Sequence, residues 1–200
     1  MNNKIKFLLV DDNLDFAMLL KKTVALDARL DYLGHASCKV SGIEMSCKMN
    51  PDIVVMDLNL SGNNLDGIEA AKELRRITGV KILLLTAYEQ KDIIIDASIR
   101  AFASGYVLKS QFQMIAQIIY ETATSNTPQK EFIKELTLSG LSIAERGVLE
   151  DMLNEKVLCT SQTARSTQSS QSTIRNQKTS IYRKLGLKNK KEALNVFKNW

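Results

Sequence analysis

The chain has 200 residues, 44% apolar and 24% charged, with 27 Lys and Arg against 22 Asp and Glu for a formal net charge of +5. That suits a soluble protein of one or two packed domains, and apolar stretches of only four to six residues argue against a membrane span. Cys38, Cys47 and Cys159 are odd in number with no CxxC pair, and His35 is the only histidine, which argues against a zinc site or disulfide framework and for a reducing cytoplasm. The three cysteines read as packing residues. The start Met1-Asn2-Asn3-Lys4 carries no signal-peptide pattern, so the expectation is a cytoplasmic protein with no membrane partner.

The run Ile5–Val10 predicts a strand and ends in Asp11-Asp12. Asn13 and Asp15 suit a helix start, and Phe16, Leu19, Leu20 and Val24 follow at helical spacing. Residues 31–37 and 39–49 give a weaker strand and helix, the latter closed by Pro51. Ile53–Met56 is the next strand and ends in Asp57. After the turn at Asp66-Gly67, Ile68, Ala71, Leu74 and Arg75 predict a helix that stops at Gly79. Ile82–Leu85 runs into Thr86, and Ile93, Ala97 and Arg100-Ala101 form the next helix. Tyr106–Leu108 ends in Lys109, and Ile115–Ala123 is helical. β-α repeated five times predicts an α/β fold with a doubly wound, five-stranded parallel sheet over residues 3–124. Right-handed crossovers then place every strand-to-helix loop on one edge.

Residues 125–140 start with the polar Ser125-Asn126-Thr127-Pro128-Gln129-Lys130 and read as a linker. From Leu141 to residue 200 the pattern is helical throughout, a small all-α domain. Ser142 and Glu145 make a capping-box start, and Val148, Leu149, Met152 and Leu153 supply a buried stripe. A Ser/Thr/Gln-rich stretch, 159–172, precedes a helix over Thr173–Leu185 stopped by Gly186, and residues 189–199 form the last helix.

On a shared sheet edge, three carboxylates, a hydroxyl and an amine converge, which suits a divalent metal and a phosphoryl group. A carboxylate such as Asp57 can take a phosphoryl group as a mixed anhydride. Two anions need a cation between them, and Mg2+ favours one or two carboxylates with waters and phosphate. Asp12 and Asp57 can supply the carboxylates, Asp11 can support through water, and the backbone carbonyl of Asn59 can complete the set. Lys109 is a point charge for a phosphate oxygen, and Thr86 offers a hydroxyl to another. In these stretches, Phe-Leu-Leu-Val-Asp-Asp-Asn (7–13), Asp-Ile-Val-Val-Met-Asp-Leu-Asn-Leu (52–60), Asp66-Gly67, Leu-Leu-Leu-Thr-Ala (83–87) and Gly-Tyr-Val-Leu-Lys-Ser (105–110), the chain resembles the CheY-like (flavodoxin-like) receiver domain of two-component response regulators. The resemblance implies phosphorylation of Asp57 by a sensor histidine kinase, a metal site at Asp11 and Asp12, and a switch pair in Thr86 and Tyr106. The Asp57–Asp66 loop is long and lacks the family's usual proline.

Charge is uneven along the chain. Residues 1–125 net −1, the remaining 75 net +6, and no Asp or Glu occurs from 156 to 191. On a helical wheel Ile174, Ile181 and Leu185 share one side, and Ser172, Arg175, Asn176, Thr179 and Arg183 fall opposite. Such a face can meet base edges and phosphates of double-stranded DNA. Leu-Ser-x-x-Glu-Arg (141–146), Val148-Leu149, Ala164, Ser-x-x-Thr-Ile (170–174), Tyr-Arg-Lys-Leu-Gly (182–186) and Lys190, Glu192 and Ala193 make residues 141–197 similar to the helix-turn-helix domain of the NarL/LuxR family. The resemblance implies base contacts from Arg175, Asn176 and Thr179, with Lys178, Arg183 and Lys184 nearer the backbone. Thr163, Thr167 and Ser169 stand where the family has aliphatic residues.

The expectation is a transcription regulator, not an enzyme, whose receiver is phosphorylated at Asp57 and whose 141–200 domain binds DNA, as a homodimer formed on phosphorylation or on DNA. One alternative is a degenerate helix-turn-helix that acts through protein contacts. Another is an aspartyl-phosphate phosphatase, which would want a carboxylate where Asn59 stands.

Overall fold

In this computed structural model, residues 4–60, 62, 65–154 and 170–198 are described. The apolar runs become strands β1 (Ile5–Val10), β2 (Leu30–Ala36), β3 (Ile53–Asp57), β4 (Lys81–Thr86) and β5 (Gly105–Leu108). They alternate with helices α1 (Leu14–Val24), α2 (Lys39–Met49), α3 (Asp66–Thr78), α4 (Lys91–Arg100) and α5 (Ile115–Thr124). The strands are all parallel, in the order β2-β1-β3-β4-β5.

The continuous apolar runs follow from helices covering both faces of this sheet. Leu8, Val10, Val54, Met56, Ile82 and Leu84 share a core with Ile68, Ala71 and Leu74 of α3. Their neighbours Phe7, Leu9, Val55, Leu83 and Leu85 pack on the other face with Leu20, Ile115 and Ile119. Each such side chain contributes roughly 1.5–3 kcal/mol on burial. The chain order reverses between β1 and β3, so a crevice opens at their carboxyl ends, beside Asp11 and Asp57.

Asp66-Gly67 does more than turn the chain. A Cβ on Gly67 would stand 1.9 Å from the carbonyl oxygen of Asp57, and Gly67 N donates to Leu58 O at 3.0 Å. Only glycine lets α3 begin this close to the end of β3.

Three expectations need amending. The segment read as a polar linker contains a helix, α6 (Pro128–Leu138), capped by Thr127 Oγ1, which accepts from Lys130 N at 3.2 Å. Its polar look arises because only one side is buried, through Ile133, Thr137 and Leu138. The helix lies along α4 and β5, and Gln129 Oε1 accepts from Tyr106 N at 2.9 Å. Second, Cys38 and Cys47 are exposed rather than packed, because Cys38 sits at the N-terminal cap of α2 and Cys47 on its outer side. Cys159, Ala164, Thr163, Thr167 and Ser169 lie outside the described residues. Third, the helix expected from Thr173 starts two residues earlier, where the Ser170 side chain caps it by accepting from Thr173 N.

The C-terminal part contains α7 (Ile143–Leu153), α8 (Gln171–Leu185) and α9 (Lys190–Phe197). Ser142 and Glu145 close the expected capping box, and Gly186 ends α8 with φ 64°. Val148, Leu149, Met152, Ile174, Ile181 and Val196 form the core, which Phe102 of the receiver joins.

Helix α9 seats on the end of α3 by exchanging caps. Asn195 Nδ2 donates to Arg76 O at 2.7 Å and Ile77 O at 2.9 Å, carbonyls that α3 cannot satisfy itself. In return Arg75, fully buried, donates to Val196 O at 2.8 Å as well as to Gly79 O and Val80 O. Burial without a carboxylate holds the Arg75 guanidinium down at about 10. Arg76 and Glu192 add a two-pronged ion pair at 2.8 and 2.9 Å.

Lys184 reaches Glu145 at 2.7 Å, and this bond, with the Ser142 amide, lowers the Glu145 carboxyl from 4.5 to about 2. A depressed folded pKa gives stability that is complete above pH 4.5 and lost as pH falls toward about 2. Glu145→Gln is therefore expected to lower the thermal midpoint at pH 6, with the gap to wild type narrowing as pH falls from 4.5 toward about 2. A gap independent of pH in denaturation scans would contradict this.

Candidate functional site at the carboxyl edge of the sheet

Four strands deliver side chains to one edge. Asp11 follows β1, Asp57 ends β3, Thr86 ends β4 and Lys109 follows β5. Asp11 and Asp57 are 0% and 5% exposed, while Asp12 is exposed. One carboxylate oxygen from each of Asp11, Asp12 and Asp57 lies within 4.8 Å of the others.

Lys109 is the counter-charge. Its Nζ lies 3.0 Å from Asp57 Oδ2 and 2.9 Å from Asp11 Oδ2, and 5.0 Å from the centre of the Phe16 ring. The contact to Asp57 is a hydrogen bond, whereas Asp11 Oδ2 has ion-pair distance without hydrogen-bond alignment. Asp11 Oδ1 accepts from Asn13 N at 2.9 Å, so it is fixed from the α1 side. Burial raises the Asp57 carboxyl above its ordinary 3.8, Asp11 pushes the same way, and Lys109 opposes both. Burial pulls Lys109 down, but the two carboxylates more than offset it and its pKa ends raised. One lysine against three carboxylates leaves a negative pocket. Its all-oxygen donors suit a hard divalent cation such as Mg2+.

Thr86 is buried, and its Oγ1 accepts from Tyr88 N at 2.9 Å, leaving its own proton to donate elsewhere. Tyr106 is half-buried on β5, with its amide committed to Gln129. Asn59 faces the same loops: its Oδ1 accepts from Leu65 N at 3.1 Å and its Nδ2 donates to Tyr88 Oη at 3.2 Å. Asp66 Oδ1 accepts from Leu60 N at 2.8 Å. Two neighbours escaped the sequence reading. Tyr88 links Thr86 to Asn59, and His35 Nε2 lies 2.5 Å from the Asp11 carbonyl oxygen. Tyr88 stands two residues beyond a strand end and His35 belongs to the weakest strand pattern, so only contact distinguishes them.

On α8, Arg175, Asn176, Thr179 and Arg183 are exposed on one side, away from buried Ile174, Ile181 and Leu185. Lys178 is half-buried, and Lys184 turns toward α7 to pair with Glu145. The structure thus groups four of the six sequence-predicted DNA residues and gives Lys184 a structural partner, because α8 packs on α7 through that side. The seat of α9 on α3 leaves the Arg175–Thr179 face uncovered.

A family model described as the response regulator receiver domain matches residues 7–120. The nitrate/nitrite response regulator protein homolog of Haemophilus influenzae is 32% identical over 164 residues, covering 76% of this chain and 77% of that protein. A LuxR-family two-component response regulator from Aurantimonas sp. superposes with TM-score 0.56 at 26% identity, over 68% of this chain and 98% of that one. RcsB of Salmonella typhimurium shares the fold over 98% of both chains, with TM-score 0.56 at 22% identity. The chain belongs to the response regulator receiver family. Within it the relatives are of NarL/LuxR type, and this chain is a two-component response regulator of that kind.

A raised Asp57 pKa means the buried charge costs stability, present as pH rises through that pKa and absent below the ordinary value. In metal-free buffer, Asp57→Asn is expected to raise the thermal midpoint at pH 7, with the gain fading below about pH 4. A lower midpoint at pH 7 would show that the Lys109 hydrogen bond outweighs the desolvation of Asp57.

Proposed function

We propose that the chain is a DNA-binding response regulator in which Asp57 takes a phosphoryl group from a sensor histidine kinase in the cytoplasm. The observation that carries this is Asp57 held by Lys109 at 3.0 Å beside buried Asp11. An oxygen of Asp57 attacks phosphorus, the P–N bond to the donor imidazole breaks, and its electron pair stays with the ring. Lys109 stabilises charge on the transferred oxygens. Asp11, Asp12, Asp57 and the Asn59 carbonyl would hold Mg2+, which when bound neutralises the phosphoryl charge. No helix among the described residues is long and apolar enough to cross a membrane.

Thr86 can donate its hydroxyl proton to a phosphate oxygen, and its movement toward that oxygen lets Tyr106 turn inward. Tyr106 N is bonded to Gln129 of α6, so the change reaches the segment that leads to α7. The exposed row Arg175, Asn176, Thr179 and Arg183 supports a recognition role for α8 in the major groove. Pairing of two copies would set two such helices on two half-sites. An RcsB response regulator of the same fold has been solved in complex with DNA.

Incubation with a phosphoramidate and Mg2+, followed by intact-mass measurement, is expected to add one phosphoryl group to wild type and none to Asp57→Asn. Lys109→Ala is expected to slow labelling by about 10²-fold. In parallel, log affinity for DNA against log salt is expected to fall steeply, and Arg183→Ala to reduce the slope by about 1. Labelling that survives in Asp57→Asn overturns the receiver chemistry. A slope near zero overturns DNA binding and leaves a module that works through protein contacts.

A further inference from the structure

Between α4 and α6 lies a cleft of about 470 Å³, a size typical of sites for small organic ligands. Ile94 and Ile95 of α4 face Ile133 and Phe132 of α6 across it, and Tyr106 of β5 lines it between them. Phe132 is 59% exposed and Ile95 40%, so the walls offer apolar area that the chain itself does not cover.

The polar groups in the cleft are few and of one kind. Ser98 is 1% exposed, yet its Oγ has no hydrogen-bond partner among the described residues. Ser46 of α2 shares this state away from the cleft, whereas the hydroxyls of Thr78, Thr124 and Thr137 donate to the carbonyl four residues back. Ser98 instead lines the cleft, and a buried hydroxyl left unpaired costs free energy unless an incoming group satisfies it. Lys91, two turns earlier on the same side of α4, also lines the cleft and has no ion-pair partner among the described residues. Gln129 spends its oxygen on Tyr106 N, which leaves its amide as a donor. Among the described residues no Asp or Glu lines the cleft. Donors and one cation around an apolar slot ask for an acceptor-bearing anion with an apolar body.

We propose that this cleft is a binding site for a small amphipathic carboxylate. The apolar body lies between the isoleucines of α4 and the Phe132–Ile133 wall, and the carboxylate pairs with Lys91. Lys91 and Ser98 are seven residues apart on one helix, about 10 Å along its axis, so an acceptor at the far end of the body meets Ser98. One wall belongs to the receiver and the other to α6. A bound molecule therefore bridges the two beside Tyr106 and strengthens the hold of α6 on the receiver. The site stands on its own geometry, and its test uses neither phosphorylation nor DNA.

The probes are sodium octanoate, its ω-hydroxy derivative and octanol, titrated into the full chain and followed by amide shifts and calorimetry. Octanoate is expected to bind one-to-one and saturably, moving amides of α4, β5 and α6. Lys91→Ala is expected to weaken octanoate about tenfold and to leave octanol unchanged. The ω-hydroxy derivative is expected to bind more tightly than octanoate to wild type and no more tightly to Ser98→Ala. Shifts that stay linear or spread over the whole surface would overturn the proposal, as would equal octanoate affinity in Lys91→Ala. So would a stable dimer in sedimentation that Phe132→Glu dissociates, since the cleft would then belong to a second copy.

Discussion

Asp11 and Asp57 lie at the ends of adjacent strands, almost out of contact with water, with Lys109 as the cation between them among the described residues. Two like charges in such a place repel, and burial alone already disfavours both. The arrangement persists because the sheet around it is over-determined: β1, β3 and β4 are buried on both faces and their registers leave no slack. The fold spends stability at this edge, where three carboxylates against one lysine leave an excess of negative charge. Gly67 pressed on the Asp57 carbonyl and Asn13 bonded to Asp11 keep the two acids from relaxing apart.

The C-terminal domain is attached by contacts of a different character. Arg75 and Asn195 satisfy helix-end carbonyls across the junction, and Phe102 stands 6.1 Å from Phe197 in an edge-on pair. Neutral carbonyls are weak compensation for a buried guanidinium, so desolvation of Arg75 offsets part of what the apolar contact gains. Such a junction is specific in geometry, because each donor meets a carbonyl at a fixed helix end. Helix α6 touches α4 and β5 at the same time, and so lies between Tyr106 and α7.

How legible each part was depends on where its determinants lie. The carboxylate edge could be read from residue types, because β1, β3, β4 and β5 each run from apolar residues into a polar one. Tyr88 and His35 could not, since neither spacing nor periodicity marks a residue that matters only through a neighbour from another loop. Charge count does not say which side of α8 packs on α7; the bond of Lys184 to Glu145 does. Helix α6 was hidden by its polar face, and Cys38 and Cys47 by a composition rule that ignores position on α2.

The sequence by itself determined the five-stranded parallel sheet, its strand ends, and the basic character of the last helices. Strands buried on both faces must be unbroken apolar runs, and right-handed crossovers must bring their carboxyl ends together. Only the tertiary structure decided that α6 lies on β5, that α9 caps α3, and that a cleft with an unpaired serine opens between α4 and α6. An amphipathic helix declares that one side will be buried, but its partner is chosen by shape and by which backbone groups remain unsatisfied nearby. Those quantities exist only once the chain has folded.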